Sequence, residues 1–249
     1  AASTSAPPET RLEITTPSTP DPFSFAISPD GRRLVFVAVG SGQPQLWLRT
    51  LDATVAQPLS GTEGAAYPFW SPDSRSVAFF ASGKLKRLDI GAGLPQTLTN
   101  VSQGRGGTWS PDGIILFAPA TLGPLVRLPA SGGELVAVTK LARGQSAHRF
   151  PQFLPGGRRF LFYAGGTPDA AGIYIGSIDA PETKRLTAAD TGGAYVAPGW
   201  LLFVRQTTLV ARHFDAARGE LTGDPVSIAD PVGVDSFNLG AFSVSAAGL

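Results

Sequence analysis

The sequence predicts an all-β fold built from repeated short strands. Of its 249 residues, 30 are glycine and 22 are proline, which exceeds the usual share of these two residues. Yet 43% of the residues are apolar and 15 are phenylalanine, so the chain can bury a core. A turn motif also recurs along the chain. These three observations favour short strands joined by turns over a helix bundle or a doubly wound α/β fold.

The repeated motif is a turn followed by an apolar strand. Its first copy is Ser-Pro-Asp-Gly at 28–31, and Leu34–Val39 follows as a strand-like run. Proline fixes φ at the first corner, and Asp-Gly suits a tight turn. We therefore expect the aspartates of the motif to cap turns rather than to form a calcium ring: Asp30, Asp73 and Asp112. Successive copies begin 43, 39, 44, 43 and 48 residues apart, at Ser28, Ser71, Ser110, Leu154, Ala197 and Ser245.

That period lies in the range of β-propeller blades. The apolar runs are nearly continuous rather than alternating, which is typical of strands buried on both faces, as between neighbouring blades. Third and fourth strands follow in every copy. The sequence therefore predicts a flexible linker at 1–10 and a β-propeller at 11–249, with five four-stranded units at about 23–66, 67–106, 107–150, 151–193 and 194–240.

The sequence is compatible with two arrangements of the ends of the propeller. The segment 11–16 reads as one extra strand before the first unit, and 241–249 reads as an extra first strand after the fifth. Their pairing would complete a five- or six-bladed ring. Alternatively, the chain is the first part of a longer propeller, and its open arc would leave a free sheet edge.

Composition argues against several classes of protein. The chain has 20 basic and 19 acidic residues and no basic run longer than two, so we expect no nucleic-acid partner. No apolar stretch reaches the length of a membrane span. Cysteine is absent, which excludes disulfides and thiolate metal sites within the chain. The segment Ala1–Pro8 lacks the features of a signal peptide, and methionine is absent even at position 1, which indicates a processed or excised piece.

Catalytic motifs are not found. The sequence has no Gly-x-Ser-x-Gly elbow, Walker A motif, dinucleotide fingerprint, His-Glu-x-x-His or kinase motif. Gly104–Gly107 is rich in glycine, but no helix-forming run follows it, so we interpret it as a loop rather than a phosphate cradle. His213 lies in a polar repeat position that is expected to face solvent. We therefore predict no catalytic residue, no metal and no cofactor.

The best candidate surface is formed by the connections between the fourth strand of one unit and the first strand of the next. Such connections tend to line one mouth of a propeller, and their mixture of aromatic, cationic and acidic groups suits a polar ligand or a loop of a partner protein. The alternative is that these side chains only pack and solvate the ring. The candidate residues are Glu63, Tyr67, Arg105, His148, Arg149, Tyr195, Asp235 and Asn238.

The turn motif resembles the WD40-like (PD40) repeat of the TolB type, and it lacks the Trp-Asp and Gly-His signatures of eukaryotic WD40 repeats. Three longer stretches, Gly61–Arg75, Gly104–Trp109 and His148–Pro155, resemble the extracytoplasmic C-terminal region of bacterial membrane serine/threonine protein kinases. The resemblance extends from about Glu9 onward. In that family a cytoplasmic kinase domain is followed by one membrane helix and then the propeller region. The resemblance supplies no site residues.

The resemblance implies a non-catalytic sensor that lies outside the cytoplasm of a bacterium, in the periplasm or at the cell surface. It would bind a small ligand or a protein at the propeller mouth and be tethered by an upstream transmembrane helix, with kinase activity in a domain outside this chain. One alternative is a TolB-like periplasmic interaction scaffold. The other is the propeller domain of a hydrolase or peptidase.

Overall fold

The computed structural model describes residues 16–40 and 42–246. In this part of the chain, twenty strands form five antiparallel sheets of four strands each, and the strands of every sheet lie in chain order. The first sheet contains β1 (Phe25–Ile27), β2 (Arg33–Val39), β3 (Pro44–Thr50) and β4 (Gln57–Pro58). The second contains β5 (Ala66–Trp70), β6 (Ser76–Ala81), β7 (Lys84–Asp89) and β8 (Ala92–Asn100).

The other three sheets repeat this order. The third contains β9 (Gly107–Trp109), β10 (Ile114–Phe117), β11 (Val126–Pro129) and β12 (Val136–Ala137). The fourth contains β13 (Gln145–Phe153), β14 (Arg159–Gly166), β15 (Gly172–Ser177) and β16 (Ala180–Thr187). The fifth contains β17 (Ala194–Val196), β18 (Trp200–Arg205), β19 (Thr208–Asp215) and β20 (Glu220–Ala229).

The five sheets are the blades of a β-propeller, which confirms the predicted fold class. The first strand of each blade lies innermost. Residues of all five inner strands, together with Leu239 and Phe242–Val244, line a central cavity of about 270 Å³. No helix in the described residues has the length and apolarity that a membrane crossing requires.

The core is divided into layers between successive blades. Val37 of blade 1 packs with Phe79 of blade 2, whereas the next residue along β6, Phe80, packs with Phe117 of blade 3. Two further layers join blade 3 to blade 4 and blade 4 to blade 5. Because successive side chains of a strand point to opposite faces, a second strand must be apolar at every position to fill two layers. The apolar runs in the sequence are continuous because each second strand contributes to two core layers.

The repeated turns are held by hydrogen bonds within the motif. Ser71 Oγ donates to Asp73 Oδ1 at 2.6 Å, and the Arg75 amide donates to the same oxygen at 3.0 Å. These bonds lower the pKa of the Asp73 carboxyl, the bond from Ser71 being the largest cause. Ser28 and Asp30 pair in the same way. The predicted capping role is therefore confirmed for Asp30 and Asp73, while the structure gives Asp112 no such bond.

The segment 241–249, predicted as an extra first strand, forms no strand over its described part, 241–246. It nevertheless runs beside β1. The Ile27 amide donates to Ser243 Oγ at 3.1 Å, and the Ala246 amide donates to the Pro29 carbonyl at 3.1 Å. The C-terminal segment thus bridges to blade 1 through single hydrogen bonds rather than a ladder. The linker predicted at 1–10 lies outside the described residues, as does 11–15 of the extra strand predicted at 11–16.

Candidate binding site at one mouth of the propeller

The propeller has two chemically different ends. Every inner strand begins at the connection from the preceding blade and ends at the Ser-Pro-Asp-Gly turn or its equivalent, so connections and turns lie at opposite ends of the cavity. We call these ends the connection mouth and the turn mouth. The turn mouth is lined by prolines and aromatic residues. The connection mouth carries a cluster of arginines and aromatic rings: Tyr67, Arg105, Arg149, Phe150 and Phe237.

Arg105 lies close to two aromatic rings. Its guanidinium carbon is 3.8 Å from the centroid of the Phe237 ring and 5.5 Å from that of Tyr67. Such contacts attract the cation to the negative faces of the rings. Arg105 Nη1 donates to the Gly104 carbonyl at 2.9 Å, whereas Nε is buried without a hydrogen-bond partner. Phe237 is therefore stacked closely on the guanidinium, while Nε is a buried donor that no atom of the described residues satisfies.

Arg149 is a buried residue that joins two separate loops through hydrogen bonds. It is only 8% exposed, and its Nε and Nη2 atoms donate to the Thr121 carbonyl at 3.2 and 3.0 Å. Its Nη1 donates to the Phe237 carbonyl at 3.2 Å and to Asn238 Oδ1 at 3.3 Å. Burial, followed by the charge of Arg105, lowers the pKa of Arg149. Within the described residues neither arginine forms an ion pair with a carboxylate, so two positive charges stand together at this mouth.

Two β-bulges aim aromatic rings at the cluster. The pairing of β5 with β6 shifts between Ala66 and Phe69, and that of β13 with β14 shifts between Arg149 and Gln152. At both bulges an aromatic residue that precedes proline has a left-handed backbone, with φ of 48° at Tyr67 and at Phe150. Their ring centroids lie 5.8 Å apart. Left-handed non-glycine residues cost on the order of 1–3 kcal/mol each and concentrate at functional sites.

The glycine-rich loop 104–107 is shaped by close packing. A Cβ atom at Gly104 would overlap the ring of Phe80, and one at Gly106 would lie 2.6 Å from the ring of Phe150. Gly107 is crowded in the same way by Phe69. Only glycine lets the backbone pass between these rings and place Arg105 at the mouth. This packing gives the loop a structural reason for its glycines, in agreement with its interpretation as a loop.

Asp235 and Asn238 shape the turn that carries Phe237. Asp235 Oδ1 accepts hydrogen bonds from the amides of Phe237 at 2.8 Å and Leu239 at 2.7 Å. Asn238 has a φ of 72°, and its Nδ2 donates to the Asp190 carbonyl at 3.0 Å. The turn is thereby fixed to the connection between blades 4 and 5 on one side and to Arg149 on the other.

The Tyr67 hydroxyl is strongly held in its neutral form. Burial raises the pKa of Tyr67 to about 12, against the opposing effect of Arg105, and the carboxylates of Asp235 and Asp21 raise it further. At neutral pH this side chain is a hydrogen-bonding phenol and not an anion. It therefore contributes no negative charge to the cluster.

The remaining three predicted residues lie elsewhere. Glu63 is an exposed residue of the turn before β5, where its Oε1 accepts a hydrogen bond from the Gly61 amide at 3.3 Å. Tyr195 lies on β17 near Phe214 and faces the turn mouth. His148 is fully buried, with Nδ1 2.8 Å from Thr139 Oγ1 and Nε2 3.0 Å from Gln145 Oε1. Burial lowers the pKa of His148 to about 4.

The structure thus brings together five of the eight predicted residues: Tyr67, Arg105, Arg149, Asp235 and Asn238. Sequence reasoning missed Phe150 and Phe237. Phe150 precedes Phe153 by three residues, as Tyr67 precedes Trp70, so an alignment of the repeats would have found it. Phe237 had no signal beyond its position between two predicted residues. Among the described residues, no group of three or more histidines or carboxylates could hold a metal ion.

Comparison with known proteins identifies the fold but no family. No family model matches the sequence, and no curated protein sequence matches it either. The structure is similar to TolB from Acinetobacter baumannii, with a TM-score of 0.64 and 16% identity over 82% of this chain and 56% of that chain. A TolB candidate from Agrobacterium tumefaciens gives a TM-score of 0.64 and 17% identity over 82% and 79% of the two chains.

An oligogalacturonate lyase in complex with manganese is similar as well, with a TM-score of 0.60 and 16% identity over 86% of this chain and 67% of that chain. At these identities the likeness concerns the fold. The chain spans little more than half the length of the Acinetobacter TolB.

Proposed function

We propose that this chain is a non-catalytic propeller that binds a partner protein at the connection mouth, outside the cytoplasm of a bacterium. The observation that carries the proposal is the convergence of Arg105, Tyr67 and Phe237 at one mouth, with two strained aromatic residues aimed at it. Arginine and aromatic residues are enriched at the centres of protein interfaces. The likeness to TolB supports an interaction role and an extracytoplasmic location.

The proposal is tested by photo-crosslinking from the two mouths. A benzophenone amino acid at exposed Gln103, two residues before Arg105, is compared with the same group at exposed Asp112 in a turn at the other end. In extracytoplasmic extract of the source organism, we expect a discrete protein adduct from position 103 and none from position 112. Adducts from position 112 alone, or from neither position, would contradict the proposal.

The finer proposal is that this propeller is the sensor region of a membrane serine/threonine kinase. It is supported by the resemblance of Gly61–Arg75 and His148–Pro155 to such regions. Reading the complete gene tests it, since a kinase domain and one membrane span must precede the propeller. A signal peptide without a kinase domain would favour the periplasmic scaffold. Release of unsaturated products from oligogalacturonate would instead favour an enzyme.

A further inference from the structure

We infer that the connection mouth recognises a side-chain carboxylate of an acidic peptide segment, with Arg105 as the residue that binds it. The inference rests on the proposed function and names the chemistry of the partner. It starts from the state of the Arg105 guanidinium. Nη1 has one backbone partner, Nε has none, and no hydrogen bond holds Nη2 within the described residues.

The Phe237 ring and the burial of Nε limit how a ligand can approach Arg105. The ring stacks on the guanidinium at 3.8 Å and Nε is inaccessible, so an incoming anion meets the Nη atoms at the outer edge. The edge presents N–H donors in a fixed plane, which matches the two oxygens of a carboxylate. The rings also hold the side chain in place before binding, which lowers the entropy that binding costs.

The charge around Arg105 favours an anion. Arg149 adds a second positive charge, and its donors are largely used by the carbonyls of Thr121 and Phe237 and by the amide oxygen of Asn238. Asp235 lies close enough to Arg149 and Tyr67 to act on both, but among the described residues it forms an ion pair with neither arginine, and its Oδ1 accepts hydrogen bonds from the amides of Phe237 and Leu239. Arg149 therefore strengthens the field at the mouth, while Arg105 retains free donors.

A peptide is favoured over a free organic acid because aromatic surface surrounds the arginines. Phe237 lies beside both guanidinium groups and Phe150 lies beside Tyr67, so these rings offer apolar contact to the atoms that flank a bound carboxylate. A small dicarboxylic acid would leave these rings uncovered. An acidic side chain on a peptide brings neighbouring residues against them.

The test is calorimetric titration of the whole chain at low salt with acetyl-tetraglutamate amide. Acetyl-tetraglutamine amide is the uncharged control, and glutarate represents a free acid. We expect only the glutamate peptide to bind tightly, and we expect Arg105→Gln to weaken it at least tenfold. Arg105→Lys keeps the charge but loses the planar fork, so we expect an intermediate loss. The matched control is Arg75→Gln, an equal charge change in an exposed turn at the other end, with binding within twofold of the original chain.

Equal binding of the glutamate and glutamine peptides, or unchanged binding by Arg105→Gln, would overturn the inference. Equal binding of glutarate would overturn the assignment to a peptide. A melting curve for each variant excludes loss through unfolding. The crosslinking experiment separates the two proposals: an adduct from position 103 that persists in Arg105→Gln overturns only the carboxylate, whereas its absence from the original chain overturns the binding role itself.

Discussion

Two arginines at one mouth show how burial decides the role of a side chain. Arg105 and Arg149 have the same chemistry. Arg105 stacks on Phe237 and has one hydrogen-bond partner among the described residues, whereas Arg149 donates to the backbone carbonyls of Thr121 and Phe237. A buried carbonyl that loses its donor is costly, because nothing replaces the lost hydrogen bond. Arg149 therefore stabilises the fold, and Arg105 is the residue that we propose for binding.

We predict that Arg149→Gln lowers the free energy of unfolding by about 2–3 kcal/mol, since it removes charged hydrogen bonds to the carbonyls of Thr121 and Phe237. Urea unfolding measures the change. Arg143→Gln makes the same substitution at an exposed position and should stay within about 0.5 kcal/mol of the original chain. Equal losses in the two variants would show that the hydrogen bonds of Arg149 do not stabilise the fold.

His148 makes stability depend on pH. The folded protein keeps this imidazole neutral down to a pKa of about 4, because burial disfavours its charged form, whereas the unfolded chain protonates it below about 6.5. As the pH falls, the unfolded state takes up the proton first, so stability is lost between these values.

We predict that lowering the pH from 7.5 to 5 destabilises the original chain by on the order of 1–2 kcal/mol more than it destabilises His148→Gln. Urea unfolding at the two pH values measures the difference. Each protein is compared with itself at the two pH values, so any packing against Phe162 that His148→Gln loses does not enter the comparison. The same pH dependence in both proteins would refute the prediction.

At the scale of elements, the strands and turns could be predicted from the sequence and the bulges could not. Proline, Asp-Gly and continuous apolar runs are local signals, and they identify the turns and the second strands. The bulges at Tyr67 and Phe150 depend on how each inner strand pairs with its neighbour. That pairing is a tertiary property, and without the bulges the two rings would not point at the mouth.

The loop before β9 offers a sharp test of the packing. We predict that Gly104→Ala destabilises the protein by about 1–3 kcal/mol, because its Cβ would overlap the buried ring of Phe80. Gly42→Ala is the control, since a Cβ there meets nothing within 4 Å. Thermal or urea unfolding compares the two variants. A Gly104→Ala protein as stable as Gly42→Ala would show that the loop does not pack as described.

At the scale of the whole molecule, the C-terminal segment joins the two ends of the ring. Four apolar layers connect blades 1 to 5 in succession, and the contact from 241–246 back to β1 relies on polar bonds such as that between Ile27 and Ser243. We predict that Ser243→Ala lowers the free energy of unfolding by about 1 kcal/mol.

Ser236→Ala is its control, because this exposed serine lies in the same region of the chain and has no hydrogen bond in the described residues; its change should be within about 0.5 kcal/mol. Amide exchange at Ile27 should also accelerate in Ser243→Ala. Unchanged exchange there would mean that the segment does not hold blade 1.

Part of the candidate site could be predicted from the sequence. The repeat period placed Tyr67, Arg105 and Arg149 in connections between units, and propeller geometry brings such connections to one end. Burial separated His148 from them, and the fold carried Asp235 to Asn238 back across the mouth. Neither outcome has a local signal, since both depend on contacts between residues far apart in the chain.

We propose that a carboxylate of the partner binds Arg105 at the connection mouth. The most direct measurement is a crystal structure of the whole chain with acetyl-tetraglutamate amide. We expect a glutamate carboxylate oxygen about 2.7–3.2 Å from the Nη atoms of Arg105, with the ring of Phe237 still stacked on the guanidinium. A peptide bound at the turn mouth, or one that touches the protein without contacting Arg105, would contradict it.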